Sequence, residues 1–66
     1  MTIETIREQV GAIRAVRDDD ERAHSKEDEL YEAFVRHVAA GPPSEVTMLA
    51  KEVLKTKKIE FSRWCA

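Results

Sequence analysis

The stretch "LYEAFVRHVAAGPPSEVTMLAKEVL", residues 30–54, decides the fold, because it holds two apolar helical stripes separated by one abrupt stop. Before the stop, Leu30, Tyr31, Phe34, Val35 and Val38 recur at the three- and four-residue spacing of a helix face, with Ala23 further back. Gly41 followed by Pro42 and Pro43 ends that helix, since glycine is free to take the left-handed cap conformation and proline cannot continue the ladder. Beyond it, Pro43 or Ser44 opens a second stripe of Val46, Leu49, Ala50, Val53 and Leu54. Lys51, Lys55, Lys57 and Lys58 load its later turns, where the helix dipole favours cations.

Upstream lies "VRDDDERAHSKEDELYEAF", residues 16–34, which crowds eight carboxylates, one histidine and one serine between apolar runs. Ser25 with Asp28 forms an S-x-x-D capping box, while Asp18, Asp19 or Asp20 can cap an earlier start. The earlier start is favoured, because Glu21 to His24 contains no helix breaker. Further back, Ile3, Ile6, Val10 and Ile13 form one more stripe, with Thr2 placed to cap it and Glu4 in the first turn. Gly11 costs about 1 kcal/mol relative to alanine in a helix interior, which predicts close packing by another helix there.

The tail "IEFSRWCA" sets Ile59, Phe61 and Trp64 within six residues. Alternation at Ile59 and Phe61 suits a strand, but no second strand is available to pair with it. A short aromatic turn or helix closing one end of the core is the expected form, with an exposed anchor for a partner as the competing reading. The pattern therefore predicts an all-α fold, a compact three-helix bundle of one domain. Its helices span about 2–17, 20–40 and 44–57, with the tail at 59–66.

Sixty-six residues make a small core, and scaffolds of this size usually need a staple, a metal or a partner. Cys65 is the only cysteine, so no disulfide can form within the chain. An unpaired thiol suits a reducing compartment. The amino end lacks the basic-then-apolar layout of a signal peptide, and no apolar run approaches a membrane span. The expectation is a cytoplasmic protein that does not enter the membrane. Its net charge of −2 conceals an asymmetry: residues 1–17 carry +1, residues 18–32 carry −6 and residues 33–66 carry +3. A dedicated nucleic-acid binder would be more evenly basic.

Several constellations compete as sites. Glu21 and His24 make an E-x-x-H pair, with Glu27 or Asp28 extending the set, as in carboxylate-bridged di-metal bundles. Such centres need a second E-x-x-H and two further glutamates. His37 lacks a glutamate three residues before it, so only a dimer could complete a centre on Glu21, His24 and Asp28. The favoured reading is structural: Arg14 and Arg17, at the end of the first helix, meet His24, Glu27 and Asp28 in a polar network tying the hairpin together. Nucleophilic catalysis has no support, because Cys65 has no nearby histidine and Ser25 and Ser62 have no glycine-rich elbow. Phosphate-cradling loops are excluded in a chain with two glycines. The second helix, the turn and the third helix also fit a helix-turn-helix, with lysines for phosphate and Trp64 for stacking. The Pro-Pro turn and the acidic stretch argue against it.

The pattern "DDERAHSKEDELYEAFVRHVAAG", followed by "LAKEVLKTKKIEFSRWCA", resembles a group of small uncharacterised proteins from actinobacteria and their phages. That group has an acid-x-x-H-x-x-E-D-x-L core, matched by Glu21, His24, Glu27, Asp28 and Leu30. It has an ending near I-D/E-F-x-R-W-C-A, matched by Ile59, Glu60, Phe61, Arg63, Trp64, Cys65 and Ala66. The resemblance covers the last two-thirds of the chain and leaves the first helix outside. It implies a setting, bacterial or phage-infected cytoplasm, and no mechanism.

Together these features predict a non-enzymatic protein-interaction or regulatory accessory protein without a cofactor. It would bind another protein, or a second copy as a homodimer. Tyr31, Arg36, Arg63 and Trp64 are the candidate partner-binding residues, being of the types that dominate interface energetics. A nucleic-acid-associated helical module and a dimer-completed metal site are the alternatives.

Overall fold

A computed structural model of the protein describes residues 1–61. Three α-helices follow in order, α1 (Ile3–Ala15), α2 (Asp20–Ala39) and α3 (Glu45–Leu54), and α3 runs on into a 3₁₀ turn at Lys55–Lys58. No strand occurs among the described residues. Among the described residues the architecture is all-α with three α-helices, as the hydrophobic periodicity predicts.

Each helix start is set by a short polar side chain. The Thr2 hydroxyl accepts the Thr5 N–H at 3.2 Å, and the Thr5 hydroxyl accepts the Thr2 N–H at 2.9 Å, a reciprocal box that satisfies two otherwise unpaired donors. α1 then breaks at Val16 (φ −112°, ψ 19°). Asp19 begins α2: its carboxylate accepts the Arg22 N–H at 3.1 Å and its carbonyl accepts the Ala23 N–H at 2.9 Å. The earlier start is therefore the one used, and Ser25 lies inside the helix. Ser44 caps α3 by accepting the Thr47 N–H at 3.1 Å.

Two glycines behave differently from expectation. Gly41 does not take the left-handed cap, and no glycine has positive φ. Pro42 explains this, because a residue before proline is held in the extended region. What glycine supplies here is room, since a Cβ would lie 3.2 Å from the Val38 carbonyl oxygen. At Gly11 the expected close helix packing is absent, and a Cβ there would meet nothing within 4 Å.

The described residues fall into two compact units, 1–31 and 32–61, with the boundary inside α2. Burial is thin in both. In the first, Ile6, Ile13, Val16, Ala23 and Leu30 are half-buried while Ile3 and Val10 are exposed. In the second, only Thr47 (4% exposed) and Ala50 (8%) are buried. Thr47 is held there by its hydroxyl, which donates to the Pro42 carbonyl at 2.7 Å and lies 3.1 Å from the Ser44 hydroxyl. This knot satisfies a buried polar side chain and fastens the Pro-Pro turn to α3.

Of the tail, residues 59–61 are described. Ile59 leaves the 3₁₀ turn in extended backbone (φ −88°, ψ 124°), and residues 59–61 form no helical turn. Ile59 and Phe61 are both more than half exposed, so these two do not close a core. Arg63, Trp64 and Cys65 lie outside the described residues.

Candidate functional site

Three places in the fold gather side chains of chemical interest, and the acidic α2 start is the first. His24 Nε2 lies 3.1 Å from Asp28 Oδ2 one turn along the helix, both partly exposed. Glu27 shares an open cleft with His24, Asp20, Ala23 and Ile13 of α1. Glu21 lines a different cleft, with Arg22, Ser25, Lys26 and Glu29. Among the described residues no group of three or more His, Cys, Asp or Glu side chains is placed to hold a metal ion.

The predicted arginine network is corrected at its arginines. Arg17 turns back on its own chain and donates to the Arg14 carbonyl at 3.1 Å. Among the described residues neither Arg14 nor Arg17 forms an ion pair with Glu27, Asp28 or any other carboxylate. The cause is local: carbonyls at a helix C-terminus lack intrahelical donors and attract cations from the last turn. Of the five residues expected in the network, the structure joins His24 to Asp28 directly and sets Glu27 beside His24.

The second place is Glu32, at the centre of a three-residue ion cluster. Arg36 reaches its Oε2 through Nη2 at 2.7 Å and Nε at 2.8 Å. Lys57, from the 3₁₀ turn, reaches Oε1 at 3.0 Å. The hydrogen bonds from Lys57 first and Arg36 second hold the Glu32 carboxyl below the ordinary carboxylate value. Lys55 is likewise paired, with Glu52 at 2.7 Å. Two of the four lysines that would form a phosphate footprint are therefore already matched to carboxylates. Arg36, a candidate partner-binding residue, is engaged with Glu32, while Tyr31 is 62% exposed.

The third place is an apolar groove in the second unit. Phe34, Val35 and Val38 of α2 form one wall, and Val46, Leu49, Ala50 and Val53 of α3 form the other. Among the described residues no charged or polar side chain lines it. Its floor is covered, with Ala50 buried and Val35 and Val38 half-buried, but its rim stands in water. Phe34 is 49% exposed, Val46 61%, Leu49 58% and Val53 55%. A pair of short helices can join along one edge of their stripes, and the remaining apolar width needs a further layer. Periodicity identified every one of these residues as apolar-face positions. It did not show that the face stays open, because a core stripe and an interface stripe have the same spacing.

No helix among the described residues is long and apolar enough to cross a membrane. No protein-family model, no curated protein and no solved structure matches the chain.

Proposed function

We propose that this chain works by binding protein through the α2–α3 groove and performs no catalysis of its own. The observation that carries this reading is the groove itself. Side chains of Phe34, Val46, Leu49 and Val53 line it, and each is about half exposed or more. Contiguous apolar surface of that kind on a small chain is the usual signature of an interaction site, whereas single exposed apolar residues are ordinary. Of the polar residues nearby, Glu32, Arg36, Lys57, Glu52 and Lys55 are occupied in ion pairs. The setting proposed with it is the cytoplasm of an actinobacterium or of its phage-infected cell, as the resemblance implies.

A photo-crosslinking amino acid introduced at Leu49 tests the reading in cells. The expected result is a covalent product with a polypeptide, either a second copy or another chain, that disappears when Val46→Asp is added. Absence of any polypeptide product at Leu49, with products forming readily from an exposed control position such as Lys26, would contradict it.

A further inference from the structure

We infer that the occupant of the groove is the same groove of a second copy, so that two α2–α3 hairpins close on each other across a two-fold axis. This inference rests on the protein-binding reading and names its partner. Three observations favour a second copy over an unrelated chain.

The first is area. Phe34, Val46, Leu49 and Val53 are each about half exposed or more and together leave on the order of 400 Å² of apolar surface in water, within the range of the largest, often functional, patch on a small protein. A standard interface takes about 800 Å² from each partner, somewhat over half of it apolar. The groove therefore offers about the apolar share that one side of a standard dimer requires.

The second is the chemistry of the walls. Among the described residues no charged or polar side chain lines the groove, so those walls bring no like charges together and orphan no hydrogen-bonding group when a second copy closes on them. The same lack of donors and acceptors leaves nothing to select the polar features of a foreign partner. A patch that is apolar throughout is complementary to itself, and two-fold pairing of identical patches is the commonest closed assembly.

The third is the sign gradient along α3. Glu45 stands in its first turn and Lys51 in its last; beyond it Lys55 is paired with Glu52 and Lys57 with Glu32, so Lys51 and Lys58 are the cations of this end without an ion pair among the described residues. Antiparallel pairing about a two-fold axis sets the acidic end of each α3 beside the lysine-rich end of the other. It also opposes the two helix dipoles. The resulting core has four helices in two layers, which supplies the burial that each hairpin lacks alone.

The test uses the full chain. Sedimentation equilibrium at increasing concentration should give a species of twice the 7.6 kDa chain mass. Leu49→Asp should move the monomer–dimer midpoint upward by at least a hundredfold. Because that variant could also lose helix content, a second measurement is made on the unsubstituted groove walls. Equal amounts of ¹⁴N- and ¹⁵N-labelled chains carrying a photo-crosslinker at Ala33 are irradiated and digested. Mixed-isotope peptides joining that position to α2 or α3 of the other copy are expected. A mass of 7.6 kDa up to several hundred micromolar overturns the inference, as does a dimer whose cross-links fall only on residues 1–31. If the inference fails and the Leu49 crosslinker still captures another polypeptide in cells, the protein-binding reading stands without it. If neither forms, both are wrong.

Discussion

Lys57 Nζ lies 3.0 Å from Glu32 Oε1, and that ion pair fastens the 3₁₀ turn to α2 across twenty-four intervening residues. Arg36 occupies the other carboxylate oxygen, so Glu32 has a cation on each side. The Glu32–Arg36 pair follows from the i, i+4 spacing along a helix. Lys57 requires the fold, because only the turn at Gly41–Ser44 brings the end of α3 back to α2.

Glu32 should titrate below the same residue in the urea-unfolded chain, as followed by its side-chain carboxyl carbon in NMR. A folded value lowered by Lys57 and Arg36 means that the carboxylate form favours the folded state. Its contribution is present above the unfolded value and is lost as pH falls through the lowered folded value. Lys57→Ala should bring the titration back toward the unfolded value. It should also speed exchange of the Ile59 amide, whose N–H is accepted by the Thr56 carbonyl at 3.1 Å. An unchanged Glu32 titration in that variant would rule out Lys57 as the main cause.

Gly11→Ala should stabilise the protein by about 1 kcal/mol, the helix-interior difference between the two residues. Nothing lies within 4 Å of the added Cβ, so no steric term opposes the gain. A chain this small should then melt a few degrees higher, at about 4–8 °C per kcal/mol. A lower melting temperature would show that another surface closes on Gly11.

Thr47→Val should cost about 1–3 kcal/mol despite its nearly equal size, because the Pro42 carbonyl loses its 2.7 Å donor in a shielded place. Thr47→Ser keeps the hydroxyl and should recover most of that loss. Urea denaturation of the three proteins checks the order. Equal stability of the valine and threonine forms would mean that water replaces the hydroxyl.

Arg14→Ala and Arg17→Ala should each change stability by less than about 1 kcal/mol, the ordinary range for exposed charged groups. Their effects should add to those of Glu27→Gln and Asp28→Asn, since the structure gives these arginines no carboxylate partner among the described residues. A coupling above 0.5 kcal/mol, roughly the limit of additivity between separate sites, would restore the predicted network.

Local chemistry was the legible part of this sequence. Thr2 and Ser44 cap where short hydroxyl residues precede apolar runs, and α2 begins at the earlier aspartates because no breaker intervenes. Gly41 with two prolines ends α2 at Ala39. Gly41 was misread in its conformation, because the constraint of Pro42 on its backbone overrides the usual glycine cap. The place of Arg17 was not legible, because its own helix end offers the Arg14 carbonyl one turn back, and residue spacing does not rank that local acceptor against a carboxylate on the next helix. The exposure of Phe34, Leu49 and Val53 was hidden for a different reason. Periodicity records which side of a helix is apolar and carries no information on what covers it.

Solvent accessibility of the groove methyls tests the central claim most directly. With ¹³C-labelled Leu and Val methyls and a soluble paramagnetic probe, the relaxation enhancement at Val46, Leu49 and Val53 is measured from low micromolar to millimolar protein. The expected result is strong enhancement in dilute solution that falls sharply for these three as concentration rises, while Val10 stays accessible throughout. Strong enhancement of all three at every concentration, together with failure of any added polypeptide to reduce it, would contradict a groove built for binding protein.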